Sequence, residues 1–541
     1  MRFKKTVLIH VFRVALLVIL TGCTREDSAG GAGDANVLRV GNGTEPAALD
    51  PQITTGVSEF RIASALLEGL VSESPAGNGT APGVASSWET SDDKLTWTFH
   101  LRPDARWSDG DPVVAGDFLR AYERMLSPEL AADYAYRLFD VVGAEDFNAG
   151  RLKDFAQTGF AAPDDHTLVV RLRHPVPFLL ALAKHHSWYP LHFESIRRHG
   201  DPFSRGNTGW TRPGEFVGNG PFRLKEWLPG QQITVMRNTR YWDAANVKLD
   251  AIEFHAIDNP DAEEAAFRTG RLDVTYSLPL GRTDTYREEH PDKLRIDPYY
   301  GTYFYRLNTA KPPLDDVRVR HALAMTINRQ AICEHLLRAG QEPALHFTPH
   351  SPGYQARASL EEDAAKARRL LAEAGFPGGK GFPRLELLYN TRDDHKQIAE
   401  AVQQMWKREL GIDIVLRNEE WKVYLETVNR GDYQIARAGW IGDFPDPHTF
   451  LDLWVTGGGN NRTGYSNAEY DRLFGSVLSQ GDEAARLAVC QQLDALLVRD
   501  VPVIPIYFYK RVYALDPRVE GWVPDVLDNR AWKHIGLAGD E

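Results

Sequence analysis

The chain has 541 residues, with 74 Asp and Glu against 62 Lys and Arg and a formal net charge of −12. That length holds more than one hydrophobic core, and an acidic balance without a long basic block argues against nucleic acid as a partner. Aromatic residues make up 11 % of the chain, which suits the rigid, half-polar walls of a binding surface as well as a core.

The N-terminus opens with Arg2, Lys4 and Lys5, followed by the apolar run Val14–Leu20 and then Leu-Thr-Gly-Cys at 20–23. The run is far shorter than the ~20 residues that cross a bilayer. A basic start, an apolar middle and small residues read as an export signal. Ending at Cys, it resembles a bacterial lipoprotein signal. That resemblance implies removal of 1–22, acylation of Cys23 and attachment to a membrane by lipid alone. The competing reading is an incidental free thiol. Residues 23–36 are small and polar and read as a flexible tether. With no second apolar span, the remainder is expected in the periplasm or cell envelope.

Strands are predicted at 37–41, 97–102, 167–172, 233–238, 251–257, 302–308, 384–390 and 412–418, where β-branched and aromatic runs are bounded by Gly, Pro, Asn or Asp. Helices are predicted at 61–70, 115–126, 317–339, 359–375 and 484–499. For 359–375, Ser359 and Glu362 suggest a capping box, Ala364, Ala367, Leu371 and Ala374 an apolar face, and Gly375 with Pro377 a stop. The mixture predicts an α/β or α+β fold. No low-complexity linker divides 37–541, which suggests domains that exchange segments through crossing strands able to act as a hinge. Cys333 and Cys490 lie in helix-like segments. A disulfide is open to an exported protein, and buried free thiols are the preferred reading.

A search for chemistry returns little. "GFPGGKG" at 375–381 misses the phosphate-loop spacing, and Lys380 precedes Gly381 instead of Ser or Thr. There is no G-x-S-x-G, H-E-x-x-H or C-x-x-C, so neither a nucleophile elbow nor a zinc site is expected. His185 and His186 are adjacent, which is expected to point their rings in different directions. Asp443 and Asp446 form a weak candidate for a glycosidase acid pair. The reading is therefore of a protein that is not an enzyme and needs no cofactor or metal.

"YQIARAGWIGDFPDP", Tyr433 to Pro447, opens like a buried strand yet carries Arg437 and then Asp443. Burying either charge unpaired costs roughly several kcal/mol. In the plainest reading they pair with each other or with another strand.

Four segments together resemble the peptide-binding proteins of bacterial ABC importers: 83–125, 218–243, 307–332 and 436–454 ("ARAGWIGDFPDPHTFLDLW"). The likeness runs through 37–541 in order and is greatest to the oligopeptide-binding branch. It implies a two-lobed, periplasmic-binding-protein-like α/β fold of type II and the large cluster C kind, with an extra subdomain and two crossing strands as hinge. Carried over, lobe I comprises 37–67, 196–300 and 511–541, the extra subdomain 68–195, and lobe II 301–510. The implied function is capture of short peptides and delivery to permease subunits with cytoplasmic ATPases, by a monomer. A sensor of peptides or cell-wall fragments is the first alternative and an extracytoplasmic peptidase the second.

An enclosed peptide needs an anion for its ammonium, a cation for its carboxylate and backbone partners between, because each desolvated polar group otherwise costs free energy. The resemblance assigns the ammonium to Asp443, a carboxylate to Arg437, and backbone hydrogen bonds to 438–441, including Gly439, Trp440 and Ile441. It adds Val57 as a backbone contact, Tyr134, Trp421 and Tyr509 as pocket walls, and His395 as a second carboxylate partner. Thr55, Leu337 and Val428 stand where some relatives carry Glu, Lys and Arg. The expectation is a cleft with fewer fixed charges.

Overall fold

The computed structural model describes residues 36–77 and 79–539. The expected signal peptide, Cys23 and all of the tether but Asn36 lie outside the described residues. Among the described residues no helix is long and apolar enough to cross a membrane.

The fold is two-lobed α/β, built on three main sheets. The first orders its strands Val37–Gly41, Ala251–His255, Gln232–Arg237 and Phe222–Leu228. The second is antiparallel, in the order Ala85–Thr90, Thr96–Leu101, Thr167–Arg171 and Phe160–Asp164. The third has six strands: Glu342–Pro343, Val503–Ala514, Leu294–Leu307, Ile435–Ile441, Leu385–Asn390 and Ile414–Glu419.

Two strands of the third sheet are long, 14 and 12 residues, and run antiparallel from Leu294↔Ala514 to Arg306↔Val503. Past Ala514 the chain bridges through Leu515 to Val274, which also bridges Val40 of the first sheet. These are the crossing strands expected from the sequence. Their register slips between Pro298 and Thr302, so the ladder is locally broken there and the strand can bend. One core packs Leu307, Leu323, Trp406 and Ile435 around the third sheet. A larger one joins the two four-stranded sheets and reaches Phe304, Trp440 and Trp454.

Most predicted strands agree with the observed ones to within two residues at each end. The exception, 302–308, is the second half of Leu294–Leu307. The helices differ for physical reasons. Helix 359–375 begins only at Ala364, because the side chain of Asp363, not Ser359, accepts from a backbone N–H, that of Lys366. Glu362 instead accepts from Arg329 at 3.0 Å. The expected helix 317–339 stops at Met325. There Thr326 donates back to the carbonyls of Ala322 and Leu323, and Asn328 caps a new turn. The helix expected at 61–70 runs Val57–Leu66. Asn219 bonds both backbone polar groups of Glu68, at 3.0 and 2.9 Å, and so holds it out of the helix. Cys333 and Cys490 are free and buried.

Candidate binding site

A cavity of about 280 Å³ lies against the strand Ile435–Ile441, and every ligand contact singled out from the sequence lines it. The strand's local pattern explains its role. Ala436, Ala438 and Trp440 are buried on one face, whereas Arg437, Gly439 and Ile441 on the other are half-buried, as a period of two requires. Along one edge the strand pairs throughout, from Gly301↔Ile441 to Leu307↔Ile435. Along the other it pairs only at Leu387↔Ile435 and Leu388↔Ala436. From Arg437 onward no strand pairs with that edge among the described residues. At position 439 a Cβ would lie 2.5 Å from the Tyr509 hydroxyl oxygen, so any larger residue there would have to displace the Tyr509 side chain. Trp440 is held by its Nε1, which donates to the Thr449 carbonyl at 3.0 Å.

At one end stands Asp443. Its N–H donates to Thr449 Oγ1 at 3.0 Å. The Tyr134 hydroxyl donates to its Oδ1 at 3.3 Å, His185 Nε2 lies 3.5 Å from the same oxygen, and Arg137 pairs with Oδ2. Arg137 also pairs with Asp452, so one guanidinium bridges two carboxylates, and the three side chains are only 2, 8 and 3 % exposed for Arg137, Asp443 and Asp452. Of the two plain sequence readings, the Arg437–Asp443 pair does not form; Asp443 pairs with Arg137, and Arg437 is held by Asn390 and Tyr509 of other strands of the same sheet.

Burial raises the Asp443 carboxyl, against the pull of Arg137 and His186. Burial pushes Asp452 up to about 7 despite Arg137. For Arg137 burial acts downward, and the two carboxylates more than reverse it. Burial, reinforced by Arg137 for His185 and by His185 for His186, holds both rings well below the usual imidazole range. With both acids ionised, two carboxylates against one guanidinium leave this end of the cavity short of one positive charge, and the raised carboxyls reflect burial together with that imbalance. The histidines also correct the expectation of diverging rings. Both line the cavity with centroids 4.1 Å apart, because the chain turns from an extended His185 into the tight turn His186–Trp188.

Arg437 donates to Asn390 Oδ1 at 3.2 Å and to the Tyr509 hydroxyl at 2.8 Å, and stacks over Tyr303 at 4.7 Å. Its Nε has no partner, and among the described residues no carboxylate pairs with it. His395 is buried beside it, its Nδ1 lying 3.4 Å from Asp394 Oδ1 without a hydrogen bond. Burial and the Arg437 charge keep that imidazole neutral, so it is a packed cavity residue and not a solvated helix start. Trp421 Nε1 points to Glu59 Oε1 at 3.4 Å. Val57 is the first residue of its helix, where backbone N–H groups have no intrahelical acceptor. Asp446 is taken by Arg486 at 3.0 and 2.7 Å, so it is not half of an acid pair with Asp443.

The sequence reading missed four arginines. Arg137 bridges the acids, and Arg61, Arg392 and Arg511 line the cavity. The cavity thus carries fixed charges that the sequence reading did not name, while Thr55 and Leu337 line it and Val428 is buried with Tyr424 and Tyr433. Their spacing was a usable signal. Arg61 follows Val57 by four on a helix, Arg511 follows Tyr509 by two on a strand, and Arg137 follows Tyr134 by three in a tight turn, all same-face intervals.

Residues 79–462 match the family described as bacterial extracellular solute-binding proteins, family 5 Middle. The periplasmic oligopeptide-binding protein OppA of Salmonella typhimurium is 35 % identical over 532 residues, 96 % of this chain and 96 % of its own. Among solved structures, OppA of Haemophilus influenzae in complex with RPPGFSPFR is 34 % identical, with a TM-score of 0.87 over 93 % of this chain and 99 % of that one. The murein tripeptide binding protein MppA of Escherichia coli is 33 % identical, with a TM-score of 0.89 over 94 % of this chain and 99 % of that one. An unliganded open form of MppA, at the same identity, scores 0.63 over 93 % of this chain and 98 % of that one.

Proposed function

The chain belongs to the bacterial extracellular solute-binding proteins, family 5, and from that premise we propose that it captures short peptides between its two lobes and hands them uncleaved to an ABC-transporter permease. The observation that carries this reading is one unpaired strand edge flanked by an acid-rich end and a lone guanidinium. An extended peptide can complete the edge as an added strand, with its ammonium at Asp443 and its carboxylate at Arg437 or His395. The backbone of 438–441 and of Val57 supplies the middle, and Tyr134, Trp421 and Tyr509 wall the side chains. Lobe I is assigned to 37–67, 196–300 and 511–541, the extra subdomain to 68–195, and lobe II to 301–510. Greater likeness to a peptide complex than to an open form supports a trap that closes.

Calorimetry with di- to pentapeptides, small-angle scattering and mass spectrometry of the mixture test this together. Binding with compaction and recovery of intact peptide is expected. Shortened products appearing with time would instead assign a peptidase.

The same reading places the protein in the periplasm as a monomer anchored through Cys23. Cys23→Ala is expected to leave the chain uncleaved or release it soluble, as judged by cell fractionation and intact mass. Full processing with retention on the membrane would overturn the anchor.

A further inference from the structure

A second wall of the same cavity gathers positive charge around one tyrosine. Guanidinium carbons of Arg511, Arg61 and Arg392 lie 4.5, 5.0 and 5.4 Å from the Tyr276 ring centroid. The three come from separate elements: strand Val503–Ala514, helix Val57–Leu66, and the residue before helix Asp393–Leu410. All of them, and Tyr276, line the cavity.

Their partners are too few. Asp528 alone serves Arg61 at 2.5 Å, Arg511 at 2.9 Å and Arg530 at 2.5 Å. Arg392 is paired with Asp394 through two bonds of 3.1 Å and also donates to Ser277 Oγ at 2.9 Å. Four guanidiniums thus face two carboxylates. Two other acids lie nearby: Asp258 feels the Arg392 charge without forming an ion pair with it among the described residues, and Glu263 accepts from the N–H groups of Tyr276 and Ser277 at 2.7 and 3.2 Å, with burial holding it at about 7. Nε of Arg61 is buried without a partner. Nη2 of Arg511 and Nη1 of Arg392 make no hydrogen bond among the described residues. A self-contained structural network balances its charges, because surplus buried charge costs folding free energy. A surplus on a cavity wall, with free donors, is what an incoming anion neutralises.

We propose that Arg61, Arg392 and Arg511 form a subsite for an acidic side chain of the ligand, so that this protein selects peptides carrying aspartate or glutamate in addition to their terminal carboxylate. The proposal rests on the peptide-binding reading and deepens it. Arginine in preformed geometry favours a carboxylate over a neutral amide of the same shape, so the discrimination is read by comparing Glu with Gln.

The test is calorimetry with tetraalanine and with tetrapeptides carrying one Glu, one Gln or one Lys at each position in turn. At one position Glu is expected to bind at least about 10-fold tighter than Gln, with Lys weaker than both. That ratio shrinks as salt is raised, and falls towards one in Arg392→Gln and in Arg511→Gln. Because Arg511→Gln strips a partner from Asp528 and can fail to fold, Arg392→Gln and the peptide series on the unaltered protein each decide the matter alone. If tetraalanine binds but Glu and Gln stay within about twofold at every position, the subsite is wrong and peptide binding stands. A cluster that takes the terminal carboxylate instead would show no Glu gain and a C-terminal amidation penalty that vanishes in Arg392→Gln, which also overturns it. If none of the peptides binds, the peptide reading itself falls, and the subsite with it.

Discussion

Asp443→Asn is expected to weaken peptide binding by about 30- to several-thousand-fold, or about 2–5 kcal/mol. The substitution keeps the shape and the oxygen that accepts from Tyr134 but removes the charge. Arg137 then faces Asp452 alone, the acid-rich end becomes neutral, and no surplus acid is left for an arriving ammonium. N-acetylating the peptide should produce a matching loss on the unaltered protein, since it deletes the cation itself. The two changes together should cost less than their sum, because they remove one interaction twice. The pH dependence follows from the same cluster. The Asp443 and Asp452 carboxyls are raised in the free protein, Asp452 to about 7, and an ammonium favours their ionised forms. Affinity should therefore rise from about pH 5 to 7 with release of protons, then fall as the peptide's own ammonium deprotonates near pH 8. Titration calorimetry in buffers of different ionisation heat reads both effects. Equal binding of free and acetylated peptides by the unaltered protein would remove Asp443 as the ammonium anchor.

Arg137→Gln is expected to cost about 3–5 kcal/mol of folding stability, because it leaves two buried carboxylates side by side without a cation. Its dependence on pH separates this cause from lost packing. Both folded-state carboxyl pKa values already lie above their unfolded values, and losing Arg137 raises them further. Such groups contribute stability that is complete below the unfolded pKa and is lost as pH rises through the folded one. The penalty should thus be largest near pH 8 and smaller near pH 5, where the carboxyls protonate. Urea midpoints of the two proteins at both pH values measure it. Adding Asp452→Asn should recover part of the loss at pH 8, since one of the stranded charges is then gone. A penalty independent of pH and untouched by Asp452→Asn would mean that Arg137 acts by packing alone.

The strand was legible in the sequence as a buried one carrying a charge, and the structure refines this: Trp440 is buried, whereas Arg437, Gly439 and Ile441 are half-buried on the other face. The lone charge on an otherwise apolar strand marked Arg437 as unusual, and among the described residues no carboxylate pairs with it. Helix ends were less legible. Ser359 and Asp363 are both plausible caps, and the choice fell to Asp363 because Glu362 was drawn away to Arg329 from another segment.

What the sequence determined by itself is local: the run of each strand, the residues that bound it, and the motifs that mark the family. Who neutralises whom was decided only by the tertiary structure. Arg137 reaches Asp443 across 306 positions, and Arg61 reaches Asp528 across 467. The reason is physical. Periodicity arises from backbone geometry and repeats every few residues, so it is written along the chain. An ion pair depends on two charges being brought within a few ångströms by packing of distant segments, and Coulomb energy carries no memory of sequence separation. The acid-rich end near Asp443 and the arginine wall around Tyr276 could therefore be seen only once the lobes and their crossing strands were in place.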